Sequence, residues 1–412
     1  MNQDTFTKDL IPLIAIPSIA SDAAALQAAV DYIEAYIKQR VNVTIERFER
    51  NGKPSLLAYT SATRPARFDV ILNGHLDVVP GRIEQYTAKI VGNELHGRGT
   101  FDMKAAALVE TDVFCAAAGK VPYALALQIV ADEEIGGYDG AKYQIEQGVR
   151  ADFTVIGEHA LASNVIYNEA RGLCWVELAF RGKTAHGGYP WNGENALLKA
   201  SRFAHAVLEE YPIPKREVWG TTANIASIKT NNNAHNAVPE DARLHIDFRF
   251  TAEDPVFHSV DSVKAFLKSI DPDVEILAIP VWDPAISVDP EHPALHALVR
   301  ALEHTSGKPV RFDRRYAGGD ARHYAALGDS AVEFGLSGGH MHGSDEFVDL
   351  TSIQPYWQTL YEFLTQTYKP NSVNEQAHDT SQTNRHRNPA PTSRISDRNR
   401  AHYRDEQGTP VH

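Results

Sequence analysis

Apolar positions in the first part of the chain switch repeatedly between two periods. Leu26, Val30, Ile33 and Ile37 recur at helical spacing, Val41, Val43 and Ile45 alternate as in a strand, and Phe68 to Leu72, Ala124 to Val130 and Phe153 to Ile156 are short unbroken apolar runs. This alternation of helix and strand signals predicts an α/β fold. From about Glu169 to Pro280 the pattern changes. A strand over Cys174 to Phe180, a helix over Asn195 to Glu209, strands over Thr222 to Ile228 and Ala242 to Phe250, a helix over Ser259 to Ile270 and a strand over Val274 to Ala278 give the order βαββαβ. That order predicts a small ferredoxin-like α+β domain inserted into the larger one. A helix near Leu295 to His304, a strand near Ala331 to Phe334 and a helix from Leu350 to Tyr368 then return to the α/β style. The expected organisation is therefore a larger α/β domain over residues 1–168 and 283–370, an insert over 169–282, and no internal repeat. Residues 371–412 are almost free of apolar residues and without period, which predicts a disordered tail.

Polar residues cluster just past the apolar runs. His75 and Asp77 come after FDVILNG, Glu133 and Glu134 after ALALQIVAD, and Glu158 after FTVIG. In open α/β sheets the carboxyl ends of strands are where ligands bind, because the loops there are held by a rigid frame. Singly these residues carry little: a His-x-Asp is commonly an ordinary hydrogen-bonded histidine, and two adjacent glutamates are commonly solvated. Together they put imidazole and several carboxylates within reach of one sheet edge. Such a mixture is what Zn²⁺, Mn²⁺ or Co²⁺ accepts, and one carboxylate can bridge two ions.

Composition narrows the class. With 412 residues, 43% hydrophobic and 23% charged, there is apolar material for a large domain and a smaller one. No apolar run approaches the roughly 20 residues of a membrane span, and Met1-Asn2-Gln3-Asp4 does not open a secretion signal, so a cytoplasmic protein without a membrane partner is expected. A net charge of −13 argues against nucleic acid as a partner. Cys115 and Cys174 sit in apolar stretches and read as buried reduced thiols rather than nucleophiles or ligands.

The strings NGHLDVVPG, HGRGTFDMKAA, ADEEIGG, VIGEH, ARGLCWVELAFRGKTAHGGYP, NAVPEDARLHIDFRF, GGDAR and HGSDEFV occur in this order. In order and context they resemble the M20 metallopeptidases, with acetylornithine deacetylase and succinyl-diaminopimelate desuccinylase the most similar in flavour. The resemblance covers roughly residues 1–370 and implies a two-metal hydrolase. By it, His75 and Glu158 would bind one ion, Asp102 would bridge both, and Glu134 with His342 would complete the second site. Glu133 would be the general base acting on a water shared by the ions, and Asp77 would fix the orientation and basicity of the ligand histidine. The ions are expected to be Zn²⁺, with Co²⁺ or Mn²⁺ as alternatives.

The resemblance also reaches the insert. His186 would stabilise the tetrahedral oxyanion in a neighbouring subunit, which implies a homodimer. Asn236, Arg249 and Arg322 would contact substrate, Arg322 offering a planar fork for a carboxylate. Without the resemblance Asn236 reads as a turn residue and Arg249 as a surface-paired arginine. Three positions depart from the usual pattern: Ala105 where Gly is common, His159 where Pro is common and Tyr86 where Trp is common. Of the two nearby histidines His342 is taken as ligand, because His342-Gly-Ser-Asp345-Glu346 fits the pattern His-x-x-Asp/Asn-Glu; His340 and His159 are read as structural or supporting residues. The expected reaction is hydrolysis of the amide of an N-acyl amino acid. A dipeptidase or carboxypeptidase using the same chemistry is the rival within enzymes, and a non-catalytic scaffold with an intact set of these residues is disfavoured.

Overall fold

The computed structural model describes residues 3–160 and 162–370. The predicted disordered tail, 371–412, lies outside the described residues. At the centre of a nine-stranded sheet, Leu125–Val130, Phe68–His75, Ala151–Ile156 and Ser330–Glu333 run side by side and parallel. Leu125–Val130 is buried at every residue, and Phe68–His75 at every residue but Asp69. That is why these segments are continuous apolar runs: a parallel strand covered on both faces has no solvent side to show. Helix Lys104–Ala117 packs on Phe68–His75, and helix Ile353–Glu362 packs on Lys104–Ala117 and on Pro293–Ser306. The approach is close enough that a Cβ on Gly74 would lie 2.8 Å from the Cβ of Ala107, so the strand needs glycine one residue before His75.

The outer strands are less regular than the sequence pattern predicts. The alternating segment begins at Thr44 rather than Val41 and runs to Arg50, pairing antiparallel with Lys53–Tyr59, which no alternation marked. On the other side Val165–Ala170 and Arg311–Arg315 pair in parallel. The latter, RFDRR, carries one apolar residue in five and sits at the margin of the sheet, where solvent can take one face. The final predicted helix is divided into a 3₁₀ turn at Leu350–Ser352, helix Ile353–Glu362 and a π-helical turn at Phe363–Thr367.

The insert forms a separate four-stranded antiparallel sheet. Its strands Gly172–Arg181, Thr222–Lys229, Asp241–Phe250 and Glu275–Asp283 lie in the order second, third, first, fourth, with helices Ala196–Glu210 and Val260–Ile270. This is the ferredoxin-like arrangement expected from βαββαβ. Asp241–Phe250 alternates buried and less buried positions along its length, and Leu244, Ile246 and Phe248 join Val176, Leu178, Phe203, Val207 and Leu267 in an apolar cluster distinct from that of the large sheet. Each helix is started by a side chain: Asn195 Oδ1 accepts from Leu198 N at 3.1 Å, and Ser259 Oγ accepts from Ser262 N at 3.1 Å. Among the described residues no helix is long and apolar enough to cross a membrane. Cys115 and Cys174 are both free, and burial pushes each thiol up to about 12, as inert structural cysteines require.

One buried carboxylate ties the far ends of the parallel strands. Asp329, 5% exposed, accepts from Arg150 Nε at 2.6 Å and from Arg67 Nη2 at 2.7 Å. Burial would raise its pKa, but the two guanidinium groups prevail and lower it. A group with a depressed folded pKa contributes stability above its unfolded value, here 3.8, and loses it as the pH falls through the folded value. Asp329→Ala should cost about 2 kcal/mol at neutral pH. In thermal melts the gap to wild type should narrow as the pH is lowered towards about 3; a gap that does not change with pH would contradict the assignment.

Candidate metal centre

The register of the central strands sets the ends level: His75 pairs with Val130, and Asn73 with Ile156. Glu133, three residues past Val130, and Glu158, two past Ile156, are thus delivered to the same edge as His75. The remaining groups come from a small sheet formed by Lys89–Val91, Glu94–His96, Phe347–Asp349 and Gly338–Gly339, which brings the 340–346 loop beside residues 97–102. Across that junction Arg98 and Glu346 form a buried ion pair. Arg98 Nη2 also donates to the carbonyls of His342 at 3.1 Å and Gly343 at 3.0 Å, while Glu346 Oε1 accepts from the backbone of Phe101 at 3.0 Å and Asp102 at 3.2 Å. One buried pair therefore positions both Asp102 and His342, the latter in the left-handed region at φ 60°. Arg98 and Glu346 both stand in strings singled out in the sequence, yet neither is assigned a role there.

Asp102 lies between the two histidines. Its Oδ1 is 3.0 Å from His75 Nε2 and its Oδ2 is 3.1 Å from His342 Nε2. Glu158 Oε1 stands 3.4 Å from His75 Nε2, and Glu134 Oε2 stands 3.2 Å from His342 Nε2. Ligand atoms of His75, Glu133 and Glu158 lie within 4.8 Å of one another, as do those of Asp102, Glu134 and His342. His340 turns elsewhere, pairing through Nδ1 with the exposed Asp345 at 2.5 Å. Glu133 has no side-chain hydrogen bond of its own among the described residues, although it faces the same space.

Asp77 is fully buried and acts through the backbone. Its Oδ1 accepts from Glu133 N at 3.1 Å and its Oδ2 from Glu134 N at 2.9 Å, and its carbonyl oxygen is 3.0 Å from His75 Nδ1. One residue thus orients the histidine and the turn that carries both glutamates.

The electrostatics are those of crowded acid. Burial opposes charge on Asp102, but hydrogen bonds from His342 and His75 hold it well below the usual carboxylate range. His342 is raised to about 10 by its hydrogen bonds to Asp102 and Glu134. Glu133, which lacks such donors, is pushed well above the usual range by burial and by Glu158, Asp320 and Asp102, with His75 opposing. Four carboxylates against three imidazoles, those of His75, His342 and His159, is an excess of acid, and mixed imidazole and carboxylate donors suit divalent transition ions. The donor set fits two cations, with Asp102 able to give one oxygen to each.

A cavity of about 440 Å³ opens onto this cluster and is lined also by His159, Arg314, Arg315, Tyr316 and Glu217. A cleft of about 570 Å³ on the insert, between Arg181, Arg202 and Asp273, has no such ligand set. His186, Asn236 and Arg249 do not line the metal-side cavity within this chain. His186 and Asn236 are neighbours on the exposed tip of the insert, where Gly187 N donates to Asn236 O at 2.6 Å. Arg249 Nε pairs with Asp247 at 2.9 Å. Arg322 is buried; its Nη2 donates to Gly136 O at 2.6 Å in the turn after Glu134, while its Nε lies 3.2 Å from Asp283 without a hydrogen bond among the described residues.

Asp77→Ala should leave the Glu133 and Glu134 amides without their acceptors. Metal affinity measured by titration of chelator-stripped protein should fall about 10–100-fold, with the fold retained by circular dichroism; unchanged affinity would show that the turn holds itself.

Comparison with known proteins shows the family. The model of peptidase family M20/M25/M40 matches residues 71–366. The chain is 28% identical over 310 residues to a succinyl-diaminopimelate desuccinylase of Burkholderia vietnamiensis, covering 71% of this chain and 81% of that protein, and 25% identical over 378 residues to one of Delftia acidovorans, covering 86% and 97%. Among solved structures, an aminopeptidase of Bacillus cereus superposes with a TM-score of 0.70 at 19% identity, covering 90% of this chain and all of that one. A dinuclear metal-binding M20 peptidase of Bacillus subtilis gives 0.63 at 13% identity, covering 88% and 97%. The last two show the fold alone. Because the family model spans the parallel strands, the insert and both halves of the acidic cluster, the chain belongs to peptidase family M20/M25/M40 and is a metal-dependent hydrolase.

Proposed function

We propose that the protein hydrolyses the amide bond of a small N-acyl amino acid, with two divalent cations held by His75, Asp102, Glu134, Glu158 and His342. The observation that carries this reading is the Asp102 carboxylate, one oxygen turned to His75 and the other to His342, beside a Glu133 that has no hydrogen-bonded side-chain partner among the described residues. When bound, such a pair of ions, Zn²⁺ by preference and Co²⁺ or Mn²⁺ by substitution, polarises the scissile carbonyl and acidifies the attacking water. Glu133 takes the water's proton and passes it to the leaving amine, a task open to a carboxylate that is close to the centre without being a ligand. Asp77 keeps Glu133 and Glu134 at fixed separation. The deacylase reading is favoured over a dipeptidase or carboxypeptidase because the curated relatives at 25–28% identity are named desuccinylases.

We assign residues 169–282 to a lid and dimerisation domain and 1–168 with 283–370 to the catalytic domain of a cytoplasmic homodimer. His186 then reaches the partner's site as an oxyanion donor, with Asn236 and Arg249 as substrate contacts. Arg322, with Nη2 committed to Gly136 O, has Nη1 beside Gly318, a residue of the cavity wall, for a substrate carboxylate.

Chelator-stripped protein should be inactive and regain activity with Zn²⁺, Co²⁺ or Mn²⁺ on a panel of N-succinyl-diaminopimelate, N-acetylornithine, other N-acyl amino acids and dipeptides. Glu133→Gln should lower kcat about 10²–10⁴-fold while binding two ions. A best substrate among the dipeptides would move the assignment to a peptidase, and no cleavage by protein loaded with two ions would favour a non-catalytic role. His186→Ala should lower kcat about 10²–10³-fold. Mixing it with Glu133→Gln should restore activity through hybrid dimers, because each hybrid holds one site with both residues; no recovery would place His186 in its own subunit's site or outside the chemistry.

A further inference from the structure

His159 follows the metal-side Glu158 directly, and a ring nitrogen of His159 lies within 4.8 Å of ligand atoms of Asp102 and Glu158. By distance alone it could be counted as a third ligand for that ion. Its hydrogen bonds say otherwise. His159 Nε2 is 2.8 Å from Arg315 Nη1, and Nδ1 is 3.3 Å from Glu158 Oε2. A guanidinium has five N–H donors and no lone pair, so Nε2 must be the acceptor in the first contact. The imidazole proton is then on Nδ1, where it donates to Glu158. Neither nitrogen keeps a lone pair for a cation.

Arg315 is itself held from several sides. Its Nε donates to the buried Glu333 at 2.6 Å, its Nη2 donates to the carbonyl of His159, and its guanidinium lies 3.7 Å from the centre of the Tyr167 ring. Phe101 packs on the imidazole at 5.1 Å between ring centres. The arginine side chain is 13% exposed and Glu333 only 6%. Paired with Glu333, Arg315 brings little net charge to the centre; what it supplies is direction. The ring orientation, the tautomer and the carbonyl of residue 159 are all fixed by one guanidinium.

The consequence falls on Glu158. Its Oε2 is occupied by His159 Nδ1–H, and its Oε1 is the oxygen near His75. We propose that His159 and Arg315 are a positioning pair which presents a single oxygen of Glu158 to the metal centre, His159 donating to that glutamate and not binding metal. The inference rests on Glu158 being a ligand in the proposed two-metal centre. Glu333 anchors the pair, and Tyr167 sets the plane of the guanidinium.

The test is metal binding by the full chain, stripped and titrated with Co²⁺ against a chelator, with visible absorption recorded at each step. Wild type should bind two ions. His159→Ala and Arg315→Met should each weaken one of the two sites about 10–100-fold without displacing the cobalt bands, as loss of a partner behind a ligand does. The double variant should lose no more than either alone, because the two act as one unit. His159→Asn keeps an N–H donor near the position of Nδ1 and should restore most of the affinity. In ¹⁵N-histidine spectra of the metal-loaded wild type, the signals that vanish in His159→Asn should report Nδ1 protonated and Nε2 bare. This readout needs no stable alanine variant. Affinity in His159→Ala equal to wild type, cobalt bands that change as a nitrogen ligand is lost, or an Nε2-protonated ring would each overturn the proposal. Wild type that binds fewer than two ions, or Glu158→Gln that binds both unchanged, would overturn the two-metal reading along with it.

Discussion

Asp102, Glu133, Glu134 and Glu158 share a space a few ångströms across with three imidazoles, and the surrounding structure is arranged around the cost of that crowding. Like charges at such separations, in surroundings less polar than water, repel by several kcal/mol per pair, so a flexible chain would spread them apart. The protein instead fixes them on elements that cannot relax. His75 ends a strand buried on both sides, and the glutamates follow neighbouring strands by two to four residues. The repulsion is offset where donors exist: Asp102 has two histidines, and Asp77 has two backbone amides. Where donors are lacking it shows in the titration of the group, as with Glu133 and with Asp320, whose two buried oxygens have no hydrogen-bond partner among the described residues. Bound cations would remove the same repulsion, which makes this donor set suited to metal.

Fixing the cluster requires joining segments far apart in sequence. Arg98 and Glu346 are 248 positions apart, and their ion pair carries hydrogen bonds to the backbone on both sides. A buried ion pair returns little net stability, since desolvation offsets most of the attraction. Its value here is geometric: it sets Asp102 and His342 relative to each other in a way that apolar packing, which has no direction, could not.

Much of this was legible in the sequence, and for identifiable reasons. Strands buried on both faces cannot alternate, so Phe68–His75 and Leu125–Val130 appear as plain apolar runs, and the polar residues after them mark the sheet edge. The βαββαβ order of the insert is equally plain, because each of its elements has one apolar face and one solvated face. Arg311–Arg315 could not be read in this way. It is a marginal strand of mostly charged residues, and its identity depends on pairing with Val165–Ala170, a contact across more than 140 positions. His159 was read only as a structural or supporting histidine, since its partner Arg315 lies on that same unreadable strand.

The arginines show why residue type alone leaves roles open. A planar guanidinium near a cluster of this kind suggests recognition of a substrate carboxylate. In this fold Arg98 is committed to Glu346 and two carbonyls, Arg315 to Glu333 and His159, and Arg322 through Nη2 to Gly136. A guanidinium whose donors are spent on buried protein acceptors can meet a ligand only by giving one of them up, and leaving a buried acceptor unpaired costs about 1–3 kcal/mol. On the proposed reading, Arg98 and Arg315 serve to set where the carboxylates of the candidate metal centre stand. On the same reading, discrimination among substrates falls to groups whose donors are not spent in this way.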